Sequence, residues 1–334
     1  MATHQYFTTA TLARTRDVAT DVRLFEIEPA DGVTPHQPGS HLDVEVLVDD
    51  KPQYRSFSLV GDASEGGRYR IAVKNRPNGH GGSRYLWSLQ AGAQLRVSEP
   101  KDRFPLSYRA PEVLLVAGGI GITPIYGMAR ALLRNKSNVR LLYTARSRSQ
   151  LAFVEELQQW LGDRLTLFVT EDNQRLDPRK ALANLDPQAE LYICGPQSLR
   201  EDFLGQWLAS GRPHDRFRFE TFASSGRFPD TPFDVRVANR DVTLTVGREQ
   251  SLLQALRAQG IDDILYDCEH GECGLCTIDV LDHTGDLDHR DVFYSTRQKK
   301  SEKRMCACVS RIHNGRLTID TSRHSVDTGR PDDQ

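Results

Sequence analysis

Five of the six cysteines, Cys268, Cys273, Cys276, Cys306 and Cys308, fall within forty-one residues of a 334-residue chain. The first three read Cys-x4-Cys-x2-Cys, and a fourth cysteine lies about thirty residues on. In a reducing compartment such clustering points to a metal or redox centre and not to a disulfide framework. The spacing is that of a plant-type [2Fe–2S] centre. Four thiolates have to wrap two irons, and a tight loop lets three of them converge from one segment. Gly271 and Gly274 let the backbone close around such a cluster and turn amides toward its sulfurs. The competing reading is a structural zinc site, but zinc knuckles use two paired Cys-x2-Cys units, which this chain lacks. Cys306 and Cys308, separated by Ala307, compete for the fourth position. Cys194 stands apart.

The remaining pattern divides into two regimes. Residues 1 to about 109 carry short period-two runs, such as 22–27 and 41–48, separated by turn clusters at 35–39, 49–50 and 61–67. That rhythm predicts an antiparallel β-barrel or sandwich. From about 112 the strands become continuous apolar runs, as in Val113-Leu114-Leu115-Val116-Ala117, and alternate with helical stretches at 124–134, 149–161 and 197–210. Strands covered on both faces and alternating with helices predict a parallel, doubly wound α/β sheet. Residues 223–232 have linker composition; two short strands, a helix at 251–259 and the cysteine region follow, and the tail from about 325 reads as disordered.

Two loops in the α/β region suit a dinucleotide. Gly118-Gly119-Ile120-Gly121-Ile122-Thr123-Pro124 joins a buried strand to a helix, where glycines admit a pyrophosphate and a helix N-terminus favours its charge. Thr123 is expected at the N-cap and Pro124 at the first helical position. The loop is not Gly-x-Gly-x-x-Gly, since residue 124 is Pro. Cys194-Gly195-Pro196 ends a later strand, so both loops are expected at one crevice beyond the strands' carboxyl ends. In the β region, Arg55-Ser56-Phe57-Ser58 and, some twenty-five residues on, His80-Gly81-Gly82-Ser83 can together hold a phosphate, the guanidinium forking onto two oxygens.

In this order the motifs resemble the phthalate dioxygenase reductase type of ferredoxin–NADP reductase-like protein; vanillate O-demethylase reductases are similar. Ile71-Ala-Val-Lys74, Tyr143-Thr-Ala-Arg-Ser147, Asp288-His-Arg-Asp291 and Cys308-Val-Ser-Arg311 complete the set, and the resemblance runs from about residue 8 to 322. It implies an FMN-binding β-barrel (1–109), an NAD-binding α/β domain (110–224), a linker (225–232), a C-terminal β-grasp ferredoxin domain (233–322) and a tail (323–334). It also implies that Arg55, Ser56, Phe57, Ser58, Val73, Lys74, Gly81, Gly82, Ser83 and Thr123 contact FMN. Gly119, Gly121, Arg146, Ser147, Cys194, Gly195 and Pro196 then form the NADH site, Phe222 lies near the flavin ring, and Cys268, Cys273, Cys276 and Cys308 hold the cluster. Two departures stand out. Residue 57 is Phe where the family commonly has Tyr, and residues 281–288 are about two residues longer than usual, so Cys306 keeps the more usual spacing of twenty-nine from Cys276.

The expected activity is an NADH-dependent flavin and iron–sulfur oxidoreductase that feeds a separate terminal oxygenase, of Rieske type and acting on an aromatic acid or related compound. Another iron protein is the alternative acceptor, and a zinc-binding protein without catalysis the alternative class. NADH is favoured by resemblance, although Arg146 and Arg148 can each meet a 2′-phosphate. A formal charge of −2, from 43 Lys and Arg against 45 Asp and Glu, argues against a nucleic-acid binder. No apolar run reaches eighteen residues, and residues 1–6 lack a signal-peptide pattern, so the cytoplasm is expected and no membrane partner. Charge is lopsided around the cysteines. Residues 262–291 hold ten Asp or Glu against Arg290, and 297–316 hold seven Lys or Arg against Glu302. Two solvated faces or a docking surface for an electron acceptor both account for this. His270 and His289 are the histidines nearest the cysteines.

Overall fold

The computed structural model describes residues 7–61, 66–77, 79, 81–222, 228, 230–269, 271–294 and 296–322. His80, His270, most of the expected linker and the tail from 323 lie outside the described residues. The chain falls into two compact units, residues 1–221 and 222–334.

The first unit opens with β1 (Phe7–Ala19), β2 (Val22–Pro29), β3 (Ser40–Val48), β4 (Lys51–Ser58) and β5 (Tyr69–Lys74), then α1 (Gly82–Ser88), β6 (Gln94–Ser98) and β7 (Lys101–Asp102). The strands run β4-β3-β6-β1-β2-β5, with β7 on β3. A bridge between Leu59 and Ile71 ties the two ends of that order together, closing the sheet into a barrel. Alternation drives this: Phe25, Ile27, Leu42, Val44, Ile71 and Val97 are fully enclosed inside. Helix α1, which has no period-two signal, adds Leu86 to the same core.

The same unit continues with β8 (Val113–Gly118), α2 (Ile122–Arg134), β9 (Val139–Ala145), α3 (Val154–Leu161), β10 (Leu165–Val169), α4 (Pro178–Leu182), β11 (Glu190–Cys194), α5 (Gln197–Ala209) and β12 (Phe217–Glu220). All five strands are parallel in the order β10-β9-β8-β11-β12. The order reverses between β8 and β11, where open α/β sheets bind ligands. Both of those strands are buried along their whole length.

Two sequence expectations are corrected here. Helix α2 begins at Ile122, not at Pro124, because Gly119–Gly121 forms a 3-10 turn that leads directly into it. Thr123 is therefore inside the helix, its hydroxyl donating to Ile120 O (3.0 Å), and it caps nothing. Pro124 stands third, where its missing N–H costs no intrahelical bond. The stretch 149–161 is not one helix: Phe153, at φ +61°, separates a short 3-10 turn from α3. Strand β12 and helix α4 were not anticipated.

The second unit comprises β13 (Phe233–Val237), β14 (Val242–Val246), α6 (Leu252–Ala258), β15 (Thr277–His283), β16 (Asp286–Asp288), α7 (Thr296–Lys300), β17 (Arg304–Cys306), β18 (Arg311–His313) and β19 (Arg316–Asp320). A mixed sheet β14-β13-β19-β15-β17 packs against α6, and β16 pairs with β18 separately, the layout of a β-grasp ferredoxin domain. Ser251 and Gln254 form a reciprocal capping box that starts α6. Leu252, Leu256, Val235, Met305 and Ile319 fill the core.

Candidate functional site

The loops after β8 and β11 touch. A Cβ on Gly121 would lie 2.1 Å from the Cys194 carbonyl oxygen, and one on Gly195 would lie 3.0 Å from Gly118 Cα. A Cβ on Gly118 would meet Pro196 Cδ at 2.6 Å. Three of these glycines thus exist for loop against loop. Gly119 is different: at φ +54° its Cβ would point into open space, so its backbone is the part of the loop that a pyrophosphate can approach. Tyr143 supports that loop from β9, its hydroxyl donating to Gly119 O (3.3 Å) and accepting from Ala152 N (3.1 Å). Beyond β9, Arg146 is exposed and the Ser147 hydroxyl meets that of Ser149 at 3.0 Å. Arg148 is committed elsewhere: its amide donates to Glu171 Oε1 (2.8 Å) and its guanidinium pairs with Asp172 (2.7 Å).

The barrel motifs converge on the same unit. A Cβ on Gly82 would press on Arg55 Cγ at 2.9 Å, so the Gly81-Gly82-Ser83 loop lies along the arginine stem. Arg55 is aimed by Gln53 Oε1 (2.5 Å) and Tyr54 O (3.0 Å). Ser83 Oγ accepts from Arg76 N (3.3 Å). Ser56 donates to Asp43, which also pairs with Lys101 at 2.6 Å. Val73 is buried and its carbonyl accepts from Trp87 Nε1 (3.0 Å), while Lys74 is paired with Asp21 at 2.9 Å. Phe57 packs on the barrel core.

Ser58 reaches furthest. Its hydroxyl donates to Glu220 Oε2 (3.0 Å), and Glu220 is the register partner of Cys194 on the neighbouring strand. The end of the barrel motif and the carboxyl edge of the parallel sheet therefore meet beside the Cys194-Gly195-Pro196 loop. Glu220, Asp43 and Gln53 were missed in the sequence. Phe222, two residues after Glu220, opens the second unit and is half-buried.

In the second unit the thiols crowd together. Cys268 Sγ accepts from the amides of Glu272 (3.3 Å) and Cys273 (3.4 Å), and Cys276 Sγ accepts from the thiols of Cys306 and Cys308. Those hydrogen bonds hold Cys276 below the usual thiol range, against the opposing effect of burial. The same sharing pushes the others up: Cys273 against Cys268, Cys306 against Cys276, and Cys308 against both Cys268 and Cys276, with burial adding to each. A nest of thiols that cannot ionise together is what a cationic centre relieves, and thiolate is the ligating form. Cys308 hydrogen-bonds with two of the loop thiols and Cys306 with one. Among the described residues no three ligating side chains gather as for a single ion; a two-iron cluster takes its thiolates in pairs. The loop is held tightly: a Cβ on Gly271 would lie 2.7 Å from Val309, and one on Gly274 would lie 2.3 Å from the Phe293 ring. His289 lies 3.5 Å from buried Asp291.

Comparison with known proteins agrees with this division of labour. Residues 9–105 match the Oxidoreductase FAD-binding domain, 115–203 the Oxidoreductase NAD-binding domain and 235–313 the 2Fe-2S iron-sulfur cluster binding domain. The phthalate dioxygenase reductase of Burkholderia cepacia is 33% identical over 326 residues, covering 92% of this chain and 96% of that one. The solved structure of a phthalate dioxygenase reductase, described as a modular structure for electron transfer from pyridine nucleotides to [2Fe-2S], superposes with a TM-score of 0.75 at 30% identity. It covers 94% of this chain and 98% of that one. The chain belongs to the phthalate dioxygenase reductase family. The family's flavin, NAD and [2Fe–2S] domains are all present in order, and the chain is an NADH-dependent flavin and iron–sulfur oxidoreductase. The zinc reading of the cysteines is thereby set aside. The family reaches beyond one kind of system. The heme-dependent oxidative N-demethylase beta subunit of Ectopseudomonas mendocina is 36% identical, over 92% of this chain and 97% of that one. Full-length CYP116B46 from Tepidiphilus thermophilus matches 94% of this chain at 32% identity and a TM-score of 0.65, and the chain spans 42% of that protein.

Proposed function

We propose that this chain is the cytoplasmic reductase component of a multicomponent oxygenase. It draws electrons from NADH and delivers them singly to a terminal Rieske-type iron oxygenase acting on an aromatic acid or related compound, with FMN as its flavin. The observation that carries the reading is the junction of Ser58, Glu220 and Cys194, where the phosphate-binding barrel and the nucleotide sheet meet. When bound, the flavin accepts hydride from NADH and yields electrons one at a time, and the cluster relays them.

The chain's residues supply placement. Gly119 leaves its backbone open to the dinucleotide, and Gly118, Gly121 and Gly195 let the two loops close on each other. Arg55, aimed by Gln53 and flanked by Gly82 and Ser83, holds the flavin phosphate. Ser58 is fixed by Glu220 at the edge where nicotinamide and flavin have to meet. Cys268, Cys273, Cys276 and Cys308 hold the irons, with backbone amides donating to Cys268. Nothing in this route calls for a Ser-His-Asp set or a carboxylate pair.

The full-length match to phthalate dioxygenase reductase supports the Rieske acceptor. A haem acceptor is the second reading, favoured by the name of the Ectopseudomonas mendocina relative. Mixing the NADH-reduced protein with a Rieske oxygenase component and, separately, with a cytochrome P450 tests the choice by following each acceptor's absorbance. Faster reduction of the Rieske protein is expected; faster reduction of the haem protein overturns the Rieske assignment.

A further inference from the structure

The turn between β1 and β2 consists of Thr20 and Asp21, and its polar groups are taken up by other parts of the first unit. Thr20 donates twice to Ser149 O, from its amide (2.9 Å) and from its hydroxyl (3.1 Å). Asp21 Oδ2 accepts from Gln150 Nε2 (2.9 Å) and pairs with Lys74 Nζ (2.9 Å). The Asp21 carbonyl accepts from the amide of Asn75 (2.8 Å), the residue after Lys74. Ser149 and Gln150 belong to the short 3-10 turn that follows Arg146 and Ser147, both expected at the nucleotide. Lys74 ends β5 and is among the expected flavin contacts. One carboxylate oxygen therefore takes a donor from each side. Asp21 Oδ1 is enclosed and has no hydrogen-bond partner among the described residues.

We propose that Asp21 is a positioning residue for hydride transfer: its Oδ2 holds the nucleotide loop 147–150 and Lys74 in one arrangement, so that a single side chain places the NADH site against the flavin site. It acts through Gln150 and Lys74, not by contact with either reactant. Folding alone does not ask for this carboxylate. Thr20 and the Asp21 carbonyl already fasten the turn to the loop and to β5, and an acceptor oxygen enclosed without a partner costs stability. What the carboxylate adds is a shared acceptor between two sites whose reacting atoms have to meet, where a misplacement of about 1 Å costs roughly a hundredfold in rate. Tyr143 continues the grip on the far side of the loop. Ala152 N donates to its hydroxyl, which donates to Gly119 O, so residues 149–152 are tied to the barrel at one end and to the pyrophosphate loop at the other.

This inference rests on the electron path proposed above, and its test separates the two. ADP-ribose, which carries the nucleotide's phosphates but no hydride, is titrated into the holoprotein by calorimetry. Asp21→Ala and Gln150→Ala should each weaken its binding about tenfold, roughly the worth of one charge-assisted hydrogen bond. The double variant should bind no more weakly than either, because both substitutions remove the same contact. Thr20 still holds the loop in every variant, so Tm should fall by no more than a few degrees. Stopped-flow mixing at saturating NADH then reads Lys74. Flavin bleaching should slow about fivefold or more in Asp21→Ala, which frees Lys74, and stay within about twofold in Gln150→Ala, which leaves it paired. Losses that multiply in the double variant, unchanged ADP-ribose binding, or equal bleaching rates in the two single variants would each overturn the proposal. A much larger fall in Tm would do the same, since Asp21 would then serve folding alone. Failure of NADH to bleach the flavin of the unaltered protein would instead overturn the electron path itself.

Discussion

Cys306 and Cys308 differ by two positions in sequence and by one thiol hydrogen bond. Cys308 hydrogen-bonds with the thiols of both Cys268 and Cys276, whereas Cys306, fully enclosed in β17, hydrogen-bonds with that of Cys276 alone. Cys308→Ser is therefore expected to remove the cluster's visible absorption, while Cys306→Ala leaves it in place at a cost of about 1–2 kcal/mol of core packing. Iron analysis with visible circular dichroism decides it, and the opposite pattern would make Cys306 the fourth ligand. Nucleotide preference is also a residue-scale matter. Arg148 can meet a 2′-phosphate only by leaving Asp172. Asp172→Asn should then raise kcat/KM for NADPH about tenfold, roughly the worth of one charge-assisted hydrogen bond, and leave NADH within about twofold. Steady-state assays with both nucleotides check this; NADPH use that does not move would clear Asp172 of the role.

At the scale of elements, the loop after β8 makes opposite demands on two of its glycines. Gly121→Ala drives a Cβ into the Cys194 carbonyl, so both loops must part; a Tm loss of several degrees and at least a tenfold rise in KM for NADH are expected. Gly119→Ala meets no atom and strains only the backbone, about 1 kcal/mol, so it should nearly keep its Tm while its KM rises. Equal Tm losses in the two variants would contradict this division. Such contacts explain what the sequence did and did not disclose. Strands β8 and β11 were legible because burial on both faces leaves a continuous apolar run, and α6 because its cap is local. The start of α2 was misplaced because a 3-10 turn of glycines carries no periodic signal. Glu220 was invisible for a different reason: it acts on Ser58 from 162 residues away, and its role exists only once β12 lies beside β11.

For the whole molecule, the order of barrel, α/β sheet and ferredoxin unit was legible from the change of period and from cysteine spacing. The grouping of the first two into one unit was not. It rests on long-range contacts such as Ser58 with Glu220, Thr20 with Ser149 (2.9 Å between backbones) and the approach of Gly127 to Gly61. The acidic run is also less uniform than its composition suggested. Asp262, Asp263, Asp267, Glu269, Asp282 and Asp286 are exposed, whereas Asp288 and Asp291 are buried and paired with Arg290 and Lys299. If the exposed acids steer a basic acceptor, reduction of cytochrome c should slow about tenfold between low and high salt. Reduction of ferricyanide by NADH should change far less, and equal salt dependence would remove the docking role. The central claim is the path from NADH through flavin to iron–sulfur cluster. An anaerobic visible spectrum, taken before and after one equivalent of NADH, with the released flavin identified by chromatography, tests it most directly. Flavin and iron–sulfur bands that both bleach, with FMN in the extract, are the expected result; a colourless protein carrying zinc would contradict the account.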